Sequence, residues 1–247
     1  MKEMDKAIVQ TWDAREILVP VTDGKQLTAI CFEPPFLQTR SEVGTLIFYP
    51  EAFGVNGWAR RTAYFYAQLG FRVILVDLHW RQDRWIQYEY SDQTRPIALD
   101  YVRRLSVDQS VQDLTCCIQY ARELEKSNGK VGVIGYCIGG TIALRALVEG
   151  LCDVVIGYYV TDLANQVHRV RQLGNNCVFH FASDDPPIPL DAVAVLKTKE
   201  TVQGTVTVYD GTLHGFCREG FAPYNHMARN RSMEKNIPLL TTFLGGR

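Results

Sequence analysis

Residues 130–140 read KVGVIGYCIGG, an apolar run of strand character that breaks at a turn with Cys137 at its tip. A residue that joins a strand directly to a helix takes strained backbone angles. Gly135 and Gly139, backed by Gly140, remove the side chains that would hold strand and helix apart. Residues 141–148, TIALRALV, continue with apolar residues at helical spacing. The N-terminus of such a helix points at the thiol and favours a thiolate. An inert buried thiol is the competing reading, because free cysteines are among the most buried residues. The β-rich run before Cys137 and the small-residue helix after it favour a nucleophile.

The surrounding pattern alternates strands and helices. An Asp-Gly pair in the turn at residues 22–25 predicts a hairpin between strands at 17–21 and 27–32. Continuous apolar runs at 44–50 and 72–78 predict central strands covered on both faces, with a helix at 58–69 between them. Helices are expected at 107–124, 138–148, 165–173, 188–202 and 227–244, and further strands at 131–136, 154–160, 177–182 and 205–209. This implies a mainly parallel central sheet with helices on both faces, whose crevice lies at the carboxyl ends of the strands. Residues 80–106, rich in Trp and Tyr among charges, are long for a connection and read as a pocket wall or small lid, or else as a packed excursion with no substrate role, on a single domain of residues 1–247.

At 247 residues and 47% hydrophobic content the chain can bury a full core. Its 26 basic and 27 acidic residues are well mixed, and a net charge of −1 gives no electrostatic reason to expect nucleic acid or an anionic membrane as partner. No stretch reaches the roughly 18 apolar residues that span a bilayer, and no apolar leader follows the N-terminus, so a cytoplasmic protein is expected. The seven cysteines are an odd set without zinc spacing, which indicates neither a disulfide framework nor a metal site.

A cysteine nucleophile needs a base and a group that orients the base. After Cys137 the strand at 177–182 runs into Ser183-Asp184-Asp185, and the strand at 205–209 runs into a loop holding His214. Nucleophile, acid and histidine follow in the expected chain order. Spacing does not separate Asp184 from Asp185. His79, His168, His180 and His226 read as satisfied core or surface histidines.

The stretches PEAFGVNGW (50–58), DLHWR (77–81), YARELEKSNGKVGVIGYCIGG (120–140), IGYYV (156–160), the turn at 185–189 and LHGFCR (213–218) together resemble the dienelactone hydrolases, a family of α/β-hydrolases. The resemblance covers most of the chain and implies the α/β-hydrolase fold. It implies a triad of Cys137, His214 and Asp185, the aspartate standing four residues before Pro189 as in the family turn. It implies a carboxylate, Glu51, beside the thiol, and substrate binding by Arg81, Arg218 and Tyr159. The segment around Trp80 and residues 84–106 follows the family only loosely.

The activity so implied is hydrolysis of a small lactone or ester, dienelactone to maleylacetate, through a cysteine thioester. Backbone N–H groups of Ile138 and Ala52 would hold the oxyanion. No cofactor or metal is expected, the partner is the small-molecule substrate, and the chain would be a monomer or small homo-oligomer. An empty site is expected to pair Glu51 with Arg81, leaving the thiol protonated until a substrate carboxylate takes the arginine. The alternatives are another small carboxylate-bearing ester or a haloacid as substrate, or a non-catalytic ligand-binding protein of the same fold.

Overall fold

The computed structural model describes residues 14–35, 37 and 42–245. Eight strands form one sheet: β1 (Ala14–Pro20), β2 (Gln26–Phe32), β3 (Val43–Tyr49), β4 (Arg72–Val76), β5 (Ser127–Tyr136), β6 (Val154–Tyr158), β7 (Cys177–Asp184) and β8 (Val206–Leu213). Their order across the sheet is β1-β2-β4-β3-β5-β6-β7-β8. The β1–β2 hairpin is antiparallel and meets β4 antiparallel, and every pairing from β4 to β8 is parallel. Every residue of β3, β4 and β6 is buried, so the centre of the sheet is covered on both faces, as their unbroken apolar runs require.

The helices are α1 (Gly57–Gln68), α2 (Arg95–Arg103), α3 (Val107–Glu123), α4 (Ile138–Val148), α5 (Leu163–Gln166), α6 (Leu190–Lys197) and α7 (His226–Leu240). Polar side chains start three of them. Asn56, Ser106 and Asn225 accept from the N–H groups of Ala59, Gln109 and Ala228 and satisfy donors that the first turn leaves unpaired. Among the described residues, no helix is long and apolar enough to cross a membrane.

Parallel registry fixes where functional side chains meet. Tyr49 lies opposite Gly135, Tyr136 opposite Tyr158, and Tyr158 opposite His180. The chain therefore leaves β3, β5, β6, β7 and β8 at one edge, which brings Glu51, Cys137, Tyr159, Asp185 and His214 to the same end of the sheet.

Several expected elements differ in extent. The helix expected at 165–173 is only α5 followed by one 3₁₀ turn, Val167–Arg169, and the helix expected at 188–202 stops at Lys197. Strand β8 continues to Leu213, because a register shift between Ala182 and Asp184 lets Asp184 pair with Leu213. The last helix ends at Leu240 in a π-helical turn, Thr241–Gly245.

Residues 80–106 contain α2, which begins with a proline in its first turn. Their start is stitched onto the loop after β3: the Val55 N–H donates to Ile86 O at 2.8 Å and the Tyr88 N–H to Phe53 O at 3.0 Å. Tyr90 then packs edge-on between Phe53 and Phe221, each at 4.4 Å.

Candidate active site

Cys137 is the single residue between β5 and α4, at φ 58° and ψ −119°. Such angles cost a non-glycine residue roughly 1–3 kcal/mol and persist only where neighbours enforce them. Here the Cys137 N–H donates to Tyr158 O at 3.0 Å, while its carbonyl accepts from the Thr141 N–H at 3.3 Å. The flanking glycines are steric necessities: a Cβ on Gly135 would stand 1.9 Å from Gly139 O, and one on Gly139 would stand 2.4 Å from Tyr49 O. Ile138 is the first residue of α4, so its amide is one of the donors a helix start leaves without an intrahelical acceptor.

His214 follows β8, and its Nδ1 lies 2.8 Å from Asp185 Oδ2. A carboxylate only accepts, so Nδ1 carries the proton and Nε2 is left to face another group. Burial opposes a charge on this ring, but once Cys137 is ionised its charge and the Asp185 carboxylate prevail and push the pKa of the ring from 6.5 up to about 10. Asp185 is buried whereas Asp184 is exposed, which separates two residues that spacing left equivalent.

Glu51 is 1% exposed and is held from two sides. Tyr159 Oη donates to its Oε1 at 2.7 Å and Arg218 Nε donates to its Oε2 at 2.6 Å. Burial works against the charge on Arg218, but Glu51 outweighs it and raises the arginine's pKa. The guanidinium lies 4.7 Å from the ring of Tyr90 and 5.7 Å from that of Phe53. It also lies on the Gly215 backbone, where a Cβ would be 2.4 Å from Arg218 Cζ. Tyr159 has φ 33°, is buried, and sets its ring 4.8 Å from that of His214, so one side chain braces both Glu51 and the histidine.

Arg81 is placed differently from the expectation. It forms a two-pronged pair with Asp113 of α3, at 2.7 and 2.6 Å, and a further bond to Asp23 at 2.7 Å, with its guanidinium over Trp80. Both carboxylates raise its pKa against the effect of burial. The partner of Glu51 is therefore Arg218 and not Arg81. Tyr159, expected to bind substrate, spends its hydroxyl on Glu51. Of the aromatic wall of Phe53, Tyr90 and Phe221, only Tyr90 falls in the ring-rich stretch at 80–106, and nothing in the sequence shows that it meets Arg218.

Ala52, the second expected oxyanion donor, lies in a tight loop where the Gly54 N–H donates to Glu51 O at 3.1 Å. That bond fixes the plane of the peptide to which the Ala52 amide belongs. A cavity of about 480 Å³ between β8 and α7 is lined by Tyr209, Asn225 and Arg231 and contains none of these residues.

The model of the dienelactone hydrolase family matches residues 35–244. The chain belongs to the dienelactone hydrolase family. Carboxymethylenebutenolidase 1 of Cupriavidus pinatubonensis is 32% identical over 204 residues, 82% of this chain and 87% of that one. Carboxymethylenebutenolidase of Pseudomonas putida is 27% identical over 221 residues, covering 88% and 92% of the two chains. A Klebsiella pneumoniae structure assigned to the dienelactone hydrolases superposes with a TM-score of 0.77 at 19% identity over 93% of this chain and 98% of its own, which shows the α/β-hydrolase fold. Membership of the dienelactone hydrolase family makes the chain a hydrolase of the ester and lactone class.

Proposed function

We propose that the protein opens a small carboxylate-bearing lactone or ester, dienelactone to maleylacetate, with Cys137, His214 and Asp185 as its triad. The observation that carries this reading is the buried Arg218–Glu51 pair in the crevice that also holds Cys137 and His214. Arg218 uses Nε on Glu51, and its terminal nitrogens have no hydrogen-bond partner among the described residues, so they are donors for a substrate carboxylate. The carboxymethylenebutenolidase relatives point to the same substrate class.

In the reaction the Cys137 sulfur attacks the lactone carbonyl, and the amides of Ile138 and Ala52 hold the oxyanion. Collapse breaks the ring C–O bond, and the departing enolate takes the proton that Glu51 accepted from the thiol, leaving a thioester on Cys137. Water then attacks the thioester, gives a proton to His214 and expels the thiolate as the acid leaves. Asp185 keeps the imidazole in the tautomer that serves both steps. A thiolate suffices because an enolate leaves readily, unlike an amide nitrogen.

Activation follows from the pairing of Glu51. An incoming carboxylate competes for Arg218, the ion pair loosens, and Glu51 becomes free to accept the thiol proton. All seven cysteines are free, which suits a reducing compartment and supports the cytoplasm as location. Incubation with dienelactone, followed by loss of its absorbance, tests the reading; no loss with the wild-type protein overturns it.

A further inference from the structure

His79 lies just beyond β4, is 1% exposed, and takes no part in the reaction described above. Its Nε2 is 2.8 Å from the Ala52 carbonyl oxygen. A carbonyl only accepts, so Nε2 bears the proton and Nδ1 is a bare acceptor. That nitrogen is also buried and has no partner among the described residues. A phenyl ring would fill this space without an orphaned acceptor, so packing alone gives no reason for histidine here. The bond to Ala52 gives one. Burial lowers the pKa of the ring to about 4, which keeps it a neutral donor at ordinary pH.

The loop that receives this bond is held at two consecutive peptides. The Gly54 N–H fixes the 51–52 peptide through Glu51 O, and His79 fixes the 52–53 peptide through Ala52 O. With both planes set, the backbone torsions of Ala52 are determined, and with them the direction of its amide. We propose that His79 is a positioning residue that holds the Ala52 amide on the oxyanion, an inference that rests on the function proposed above. The ring is wedged between this loop and α2, 5.2 Å from the ring of Tyr101, so the residues at 80–106 reach the oxyanion donor through it.

The test compares wild type, His79→Phe and His79→Gln in two reactions. Hydrolysis of dienelactone passes through an oxyanion. Alkylation of Cys137 by iodoacetamide, read by peptide mass, requires the thiol but forms none. His79→Phe should lower kcat by roughly ten- to a hundredfold with little change in KM, as expected for a misplaced donor. The alkylation rate should stay within about twofold, and His79→Gln, which returns an N–H, should recover at least about half of the logarithmic loss. If His79→Phe does not fold, the comparison is made between His79→Gln and His79→Leu. Unchanged kcat in the variant without a donor, parallel loss of alkylation, or no recovery with glutamine would overturn the inference. A wild type that alkylates at Cys137 yet hydrolyses no lactone would overturn the proposed function and this inference with it.

Discussion

Arg218 Nε donates to Glu51 Oε2 at 2.6 Å across 167 positions of sequence, in a site where the carboxylate is 1% exposed. This pair sets both the charge of the crevice and the cost of disturbing it. Arg218→Ala leaves a buried carboxylate without its cation, which destabilises a fold by about 3–5 kcal/mol. Urea denaturation should show that loss. A change below about 1 kcal/mol would mean that the pair is solvated.

Substrate choice is the second consequence. Arg218→Ala should reduce kcat/KM strongly for a lactone bearing a carboxylate and much less for its neutral analogue, since only the charged substrate has a carboxylate for that cation to bind. Arg81→Ala should affect neither by more than a few fold, because Arg81 is committed to Asp113 and Asp23. Equal losses on both substrates in Arg218→Ala would contradict the proposed activation.

Asp185→Asn should lower kcat by up to about 10⁴-fold, because the amide favours the wrong imidazole tautomer, while Asp184→Asn should do little. Steady-state kinetics on the two variants decides, and the reverse ranking would contradict the assignment of the acid.

Stability should be greatest near pH 6.5. The His214 pKa is raised from 6.5 to about 10, so its contribution is complete below 6.5 and is lost as the pH rises through 10. His79 and His180 are lowered by burial to about 4 and about 3. The unfolded chain therefore binds their protons first, and stability falls as the pH drops below 6.5. Asp77, raised by burial to about 6, works against that acid loss, but two histidines outweigh one carboxyl. Denaturation midpoints from pH 3 to 10 check the shape, and Cys137→Ala should flatten the alkaline limb.

What could be read before the structure follows from how local each signal is. The buried strands announce themselves as unbroken apolar runs, and the elbow announces itself through glycines whose backbones must touch. The α2 helix also had a local signal, Pro96 at its start, but the surrounding rings and charges obscured it. The direction of a long side chain has no such signature. Arg81 and Arg218 are alike as sequence, and only the fold shows that Asp113 of α3 captures the first while Gly215 clears the ground beneath the second. The reach of β8 was hidden for the same reason, since it depends on a register shift against β7.

The thioester on Cys137 is tested most directly by quenching a slow turnover of dienelactone and weighing the peptide that contains Cys137. The wild-type peptide should carry an acyl adduct on Cys137 that hydroxylamine removes, absent from Cys137→Ala, which should also be inactive while keeping its fold. Turnover that persists in Cys137→Ala, with no adduct on the wild-type peptide, would contradict it.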